Sequence, residues 1–197
     1  MYKIGLIGSP NSGKSTLAAR IHAELMERGI NGSRLIPEFA IEFLGRGKNI
    51  TTLYDQMHIT TRQVSGERYA EKCNFTVAIC DSAVFIGKVY AELNMRNMTK
   101  ITQQYQDDAN VYFAKCDKYK EYYDLCIYVP LFSKRSELNT FRVHDSEQAM
   151  EIDKMIRNEL KTVKNVIKAP KSLKDRESFV KYISGEIIEN INKSDET

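Results

Sequence analysis

The sequence predicts an α/β fold: a three-layer sandwich built on a five-stranded parallel sheet with helices on both faces. Three observations carry this. Short apolar, β-rich runs alternate with longer stretches of helical periodicity from one end to the other. The chain has 197 residues, of which 42% are hydrophobic and 28% charged, enough for one sizeable domain with a real core. A glycine-bounded loop from Gly8 to Ser15 joins the first apolar run to the first helical stretch.

The elements follow in order. Tyr2 to Ile7 is an apolar run stopped by Gly8, a buried strand. Leu17, Ile21 and Leu25 form one face of a helix over Lys14–Arg28, ended by Gly29. Ser33–Pro37 is a second strand, and Phe39–Leu44 a helical turn or two ending at Gly45. Leu53–Cys73 is rich in helix formers and reads as a long helix. Phe75–Cys80 is a strand, with helix from Val84 to about Asn94 and again over Gln103–Cys116. Leu125–Val129 is a strand closed by Pro130, and a basic loop covers Phe132–His144. Ala149, Ile152, Ile156 and Leu160 mark a helix, Asn165–Lys168 a last strand, and Phe179, Ile183, Ile187 and Ile191 a final helix. The expected organisation is a single domain over 1–192, a lid at about 131–145, and a polar tail over 193–197.

Composition removes some classes. Net charge is +3, which demands no nucleic acid and repels no anionic substrate. No apolar run approaches membrane-spanning length. The first residues lack signal-peptide anatomy, and Cys73, Cys80, Cys116 and Cys126 form no CxxC pair, so reduced thiols and a cytoplasmic location are expected.

Gly8-Ser9-Pro10-Asn11-Ser12-Gly13-Lys14-Ser15 matches G-x-x-x-x-G-K-[ST], the P-loop pattern. A polyphosphate needs several backbone N–H donors converging on it, and glycines let the backbone curl that tightly. The helix starting near Gly13 turns its positive end toward the phosphates. Lys14 reaches the outer phosphates, Ser15 offers a hydroxyl to Mg²⁺, and Thr16 completes the expected ATP-binding stretch.

A nucleotide loop also needs acids. Asp81 ends the apolar run of strand three, where the carboxyl edge of a parallel sheet lies beside the phosphate loop. It is read as a partner of Mg²⁺ or as the base, and it would also serve as a helix N-cap. Glu38 follows strand two at the same edge and is the other base candidate, the alternative being a helix-start acid. Arg135 and Arg142 sit on the basic loop, where a closing lid would bring positive charge to a transferring phosphoryl group.

Three kinds of P-loop protein compete. A switch GTPase would use N-K-x-D after a late strand; Asn192-Lys193-Ser194-Asp195 has those letters but follows the last helix. A motor ATPase usually carries a second acid after the strand-end aspartate, where this chain has Ser82. A small kinase needs one domain, a strand-end acid, an acceptor-side helical segment and a lid that excludes water, and the chain has each.

The segments "GSPNSGKST", "PEFAIEFL", "TTRQVSGERYAEKCNFTVAICDS" and "NTFRVHDSEQAMEIDKMI" together resemble the AAA_28-type P-loop family, which includes the ribosylnicotinamide kinase domain of the bacterial NAD-biosynthesis regulator. The resemblance covers most of residues 1–165. It implies a nucleoside- or nucleotide-kinase-like fold, use of ATP with Mg²⁺, and an acceptor pocket near Glu38, Gln63 and Asp81. The chain departs from the family pattern at Ile41, where an arginine is common, and at Thr140-Phe141, where Asp-Gly often precedes the lid arginine.

The expected activity is transfer of the γ-phosphoryl group of ATP to a hydroxyl of a nucleoside-like small molecule. Arg62, Arg68 and Lys72 along one helix, and Tyr54 and Tyr69 as stacking surfaces, are compatible with an acceptor base held in DNA, hydroxymethylated bases included. A regulatory ATPase or GTPase is the reading from another class, and a homodimer is compatible with the sequence.

Overall fold

The computed structural model describes residues 1–47, 49–131 and 146–195. Five strands, β1 (Tyr2–Ile7), β2 (Ser33–Ile36), β3 (Val77–Cys80), β4 (Leu125–Tyr128) and β5 (Val166–Lys168), form one sheet in the order β2-β3-β1-β4-β5. Every pairing is parallel, with Gly5 opposite both Cys80 and Cys126. The helices are α1 (Lys14–Glu27), α2 (Phe39–Gly45), α3 (Leu53–Lys72), α4 (Gly87–Arg96), α5 (Gln103–Tyr119), α6 (Ser146–Glu159) and α7 (Leu173–Asp195). Parallel neighbours require crossovers, so each strand runs the same way and all carboxyl ends meet at one edge.

Alternation along the strands divides the core in two. Ile4, Leu6, Val77, Ile79, Leu125 and Ile127 face α1 and α7, where Leu17, Ile21 and Leu25 meet Phe179, Ile183, Ile187 and Ile191. Ile7, Ala78, Cys80, Cys126 and Tyr128 face α3 to α6, packing with Leu53, Phe85, Val89, Tyr112 and Ile156. Burial of each such aliphatic side chain contributes roughly 1.5–3 kcal/mol. With both faces covered, a strand reads as a continuous apolar run, which is why β1 was legible.

Most boundaries shift by a residue or more, and three of the differences have a clear cause or consequence. Strand β3 begins at Val77 because Thr76 sends its N–H to the Gly32 carbonyl at 2.9 Å, and Asn74 before it takes a left-handed φ of 55°. Helix α4 is preceded by a 3₁₀ turn over Val84–Ile86. Helix α7 continues to Asp195, so Lys193–Asp195 form its last turn instead of a polar tail. Ile191 is its last buried anchor, and Lys193 suits the negative end of the helix.

A buried polar network holds that 3₁₀ turn. Lys3 Nζ lies 3.3 Å from Glu67 and 2.8 Å from Glu71. Tyr123 donates its hydroxyl proton to Glu67 at 2.7 Å and accepts the Val84 N–H at 2.7 Å. Burial pushes the Glu67 carboxyl above its usual range, although Tyr123 and Lys3 pull it back. Burial works against the Lys3 ammonium, but the bond to Glu71 and the charge of Glu67 leave its pKa raised. Native Glu67 therefore holds its proton at pH values where the unfolded chain has lost it. Its contribution to stability is largest below the ordinary glutamate pKa and falls as pH rises through the raised native value.

Two outcomes follow. Tyr123→Phe strands the Val84 N–H and a Glu67 oxygen, and urea unfolding should show a loss of about 1–3 kcal/mol. Glu67→Gln should flatten the decline of unfolding free energy that begins as pH rises through the ordinary glutamate region; an unchanged slope would assign the decline to other groups.

Candidate active site

The loop after β1 is shaped by what lies against it. A Cβ on Gly8 would collide with the Val129 carbonyl oxygen, itself placed where the Val129 N–H bonds Ile7 at 2.6 Å. Gly13 ends the loop at φ 84°, ψ 24° and caps α1 with no side-chain hydrogen bond. Asn11 also takes a positive φ, 62°. The chain thus curls around its own amides, and the first turn of α1 points its N–H groups into the curl.

The side chains agree with that shape. Ser9 and Ser12 are fully buried, and neither hydroxyl has a hydrogen-bond partner among the described residues. Lys14 is 4% exposed and folds its ammonium back onto the carbonyls of Gly8 at 2.8 Å and Ser9 at 3.1 Å. Ser15 and Thr16 are exposed on the first turn of α1. Orphaned buried hydroxyls, converging amides and a held ammonium fit a polyphosphate. The Ser15 hydroxyl and the Asp81 carboxylate are hard oxygen donors of the kind Mg²⁺ prefers.

Asp81 is the first residue past β3, the strand beside β1, and is 4% exposed. Its N–H bonds the Ile36 carbonyl at 2.9 Å, and the Ala83 N–H bonds Leu6 at 3.2 Å, tying this segment to the ends of β2 and β1. Glu38 stands two residues past β2 as the N-cap residue of α2, half-buried and extended, and its side chain makes no capping bond. Glu38 instead lines a cavity of about 450 Å³. Pro10 of the loop, Gln63 of α3 and Ser82 after Asp81 line the same cavity, which joins these expected positions in one place. Gln63 is buried; its Oε1 accepts the Phe39 N–H at 3.4 Å, while its Nε2 has no hydrogen-bond partner among the described residues.

Other expected residues fall elsewhere. Arg62 is exposed and lies over the Phe39 ring, 4.8 Å from its centroid, outside the lining. Tyr54 is exposed and donates to Asp108 at 2.8 Å, and Tyr69 is exposed as well. The rings at the cavity are Phe39 and Tyr90. Arg135 and Arg142, with the expected lid from residue 132 on, lie outside the described residues. The Asn192–Asp195 match closes α7, next to Asn190, whose side chain lies beside Tyr2 at the start of β1. That is the sheet edge opposite Gly8, so this segment cannot face the loop.

Sequence reasoning missed Gln56, Tyr90, Gln148 and Ile152, all at the cavity. Gln56 carried a usable signal: with Ile59, Thr60 and Gln63 it follows helical spacing on one face of α3. Gln148 and Ile152 come from α6, and no local pattern ties α6 to this wall.

Two solved structures share the fold. The NadR protein in complex with NR superposes with a TM-score of 0.64 at 18% identity, over 85% of this chain. The chain spans 43% of the length of that NadR chain. Deoxyadenosine kinase from M. mycoides with bound dCTP superposes with a TM-score of 0.62 at 15% identity, over 95% of this chain and 99% of the other. No curated protein matches the sequence. The family model AAA_28, described as an AAA domain, matches residues 3–176, and the chain belongs to that family.

Proposed function

We propose that this protein is a kinase that moves the terminal phosphoryl group of ATP onto a hydroxyl of a free nucleoside. The observation that carries the reading is the cavity itself. It borders the phosphate loop at Pro10 and reaches the carboxyl ends of β2 and β3 at Glu38 and Ser82. Its size suits a small ligand, since such sites run to about 300–1,000 Å³. Phe39 and Tyr90 offer ring faces, and Gln56, Gln63 and Gln148 offer amides, a lining that suits a heteroaromatic base. Glu38 is the one charged residue among the described lining residues. Among the described residues no cation lines the cavity beside that carboxylate to receive a nucleoside monophosphate's phosphate, which supports the unphosphorylated acceptor.

The roles follow from position. The acceptor oxygen forms a bond to the γ-phosphorus while the bond from that phosphorus to the bridging oxygen of ADP breaks. Glu38, on the cavity wall, receives the hydroxyl proton. Asp81, buried at the strand end and off the cavity wall, is assigned with Ser15 to Mg²⁺, which when bound would neutralise charge on the donor phosphates. Lys14 and the backbone N–H groups between Gly8 and Thr16, Pro10 excepted, hold the polyphosphate in line, so the chain contributes mostly placement and charge compensation.

The test is transfer of label from γ-labelled ATP to nucleosides, nucleoside monophosphates and DNA carrying hydroxymethylated bases. Label should enter nucleosides. Label confined to DNA, to monophosphates or to inorganic phosphate would contradict the reading, the last favouring a regulatory ATPase. Lys14→Ala should lower kcat/KM by about 100-fold or more with the fold retained by circular dichroism. Glu38→Gln should lower kcat by roughly 100-fold or more while nucleoside binding changes little. A Glu38→Gln enzyme of normal kcat would move the base elsewhere.

A further inference from the structure

Arg176 breaks a local rule. It stands in the first turn of α7, at the positive end of a helix, where a cation is disfavoured. It is also 3% exposed, and arginine is rarely buried without a purpose served by its donors. Its guanidinium spans two loops at the carboxyl edge of the sheet. Nη1 donates to the Ser12 carbonyl at 3.1 Å, across 164 residues of chain. Nε donates to the Pro170 carbonyl at 3.1 Å, in the loop that leaves β5. That loop is fixed from its other side, where the Ala169 N–H bonds the Tyr128 carbonyl at 2.8 Å.

The bond to Ser12 has a consequence for the phosphate loop. In a trans peptide the carbonyl and the following N–H point in opposite directions. Holding the Ser12 carbonyl toward Arg176 therefore turns the Gly13 N–H away from it. Asn11 and Gly13, on either side of Ser12, both have positive φ, so this peptide sits where the backbone has an accessible alternative and needs fixing. The planar fork of an arginine can hold two carbonyls at a set angle; a lysine ammonium is a point donor.

We propose that Arg176 is a positioning residue for the donor nucleotide: by tying the Ser12 carbonyl to the Pro170 loop it orients the Gly13 amide of the phosphate loop and brings a fixed positive charge behind it. This rests on the reading that ATP binds at residues 8–16. It assigns a donor-side role to a helix 164 residues away in sequence, whereas the cavity residues act on the acceptor. Arg176 acts through the loop and is not placed in contact with the phosphates.

The test is calorimetric titration of the full chain with a non-hydrolysable ATP analogue and Mg²⁺, for wild type, Arg176→Lys and Arg176→Gln. Arg176→Gln should weaken analogue binding by about tenfold or more, with Arg176→Lys in between. The KM for ATP should rise in parallel while the KM for the nucleoside stays within about twofold, a split that general loosening of the fold would not produce. Both variants binding the analogue as wild type does would overturn this inference alone. Wild-type protein taking up no analogue would overturn the donor reading and this inference with it. If the variants do not fold, the wild-type Arg176 Nε–H resonance serves: it should shift on adding the analogue and not on adding nucleoside, and an unmoved resonance overturns the proposal.

Discussion

The carbonyl of Val129 pressing on Gly8 is the contact from which the site is built. β1 is the middle strand, hydrogen-bonded on both sides and buried on both faces, so its end cannot shift. It stops opposite the last residue of β4, and Val129, the next residue of that neighbouring chain segment, leaves room for backbone alone. The chain must turn sharply there, and a sharp turn between a strand and a helix gathers amide groups at the helix start. In a parallel sheet covered by helices on both faces, the strand ends at that same edge are the places where loops can hold chemistry. Asp81 and Glu38 reach the edge from β3 and β2, the strands on one side of β1.

The wall of the cavity is held by a different kind of interaction. Lys3, Glu67, Tyr123 and Val84 form a polar chain through the core beneath the 3₁₀ turn, and Val84 lines the cavity. Burying a carboxylate and an ammonium opposes folding, and a well-packed apolar cluster would often be as stable. What the polar chain adds is direction: a phenol hydroxyl fixed at 2.7 Å on each side leaves the Val84 amide one place to be. Arg176 does the same at the loop after β1 with two carbonyls. Both devices sit behind the surface that would meet a ligand, so the shape of the site depends on groups that need not touch one.

Much of this was readable from the residues in order. The apolar runs marked β1 and β4, the stripe of Leu17, Ile21 and Leu25 marked α1, and the P-loop pattern located the phosphate cradle, because each is local and has a period. Glu38 and Asp81 were placed at one edge by the parallel topology, and Gln63 near them by the family resemblance alone; Glu38, Gln63 and Ser82, the neighbour of Asp81, line one cavity. Periodicity says which face of a helix is buried, not which neighbour buries it. Gln148 and Ile152 of α6 therefore gave no sign that they reach the cavity, and nothing in the order of residues singles out Arg176. Tyr54 and Tyr69 were compatible with stacking on a base by residue type, with half-buried packing as the alternative; both lie exposed on α3, while Phe39 and Tyr90 meet the cavity. The last turn of α7 was taken for a tail because its residues are polar, although Ile191 anchors the helix just before it.

The central claim is that the phosphate cradle and the cavity beside it serve one reaction. A crystal structure of the protein with a non-hydrolysable ATP analogue, Mg²⁺ and a nucleoside tests it most directly. The account predicts the polyphosphate within residues 8–16 and the nucleoside base between Phe39 and Tyr90. The acceptor hydroxyl should lie beside Glu38, about 3–3.5 Å from the γ-phosphorus and in line with its leaving oxygen. A nucleoside bound away from this cavity, or seated in it with its hydroxyls turned from the phosphate, would contradict the account.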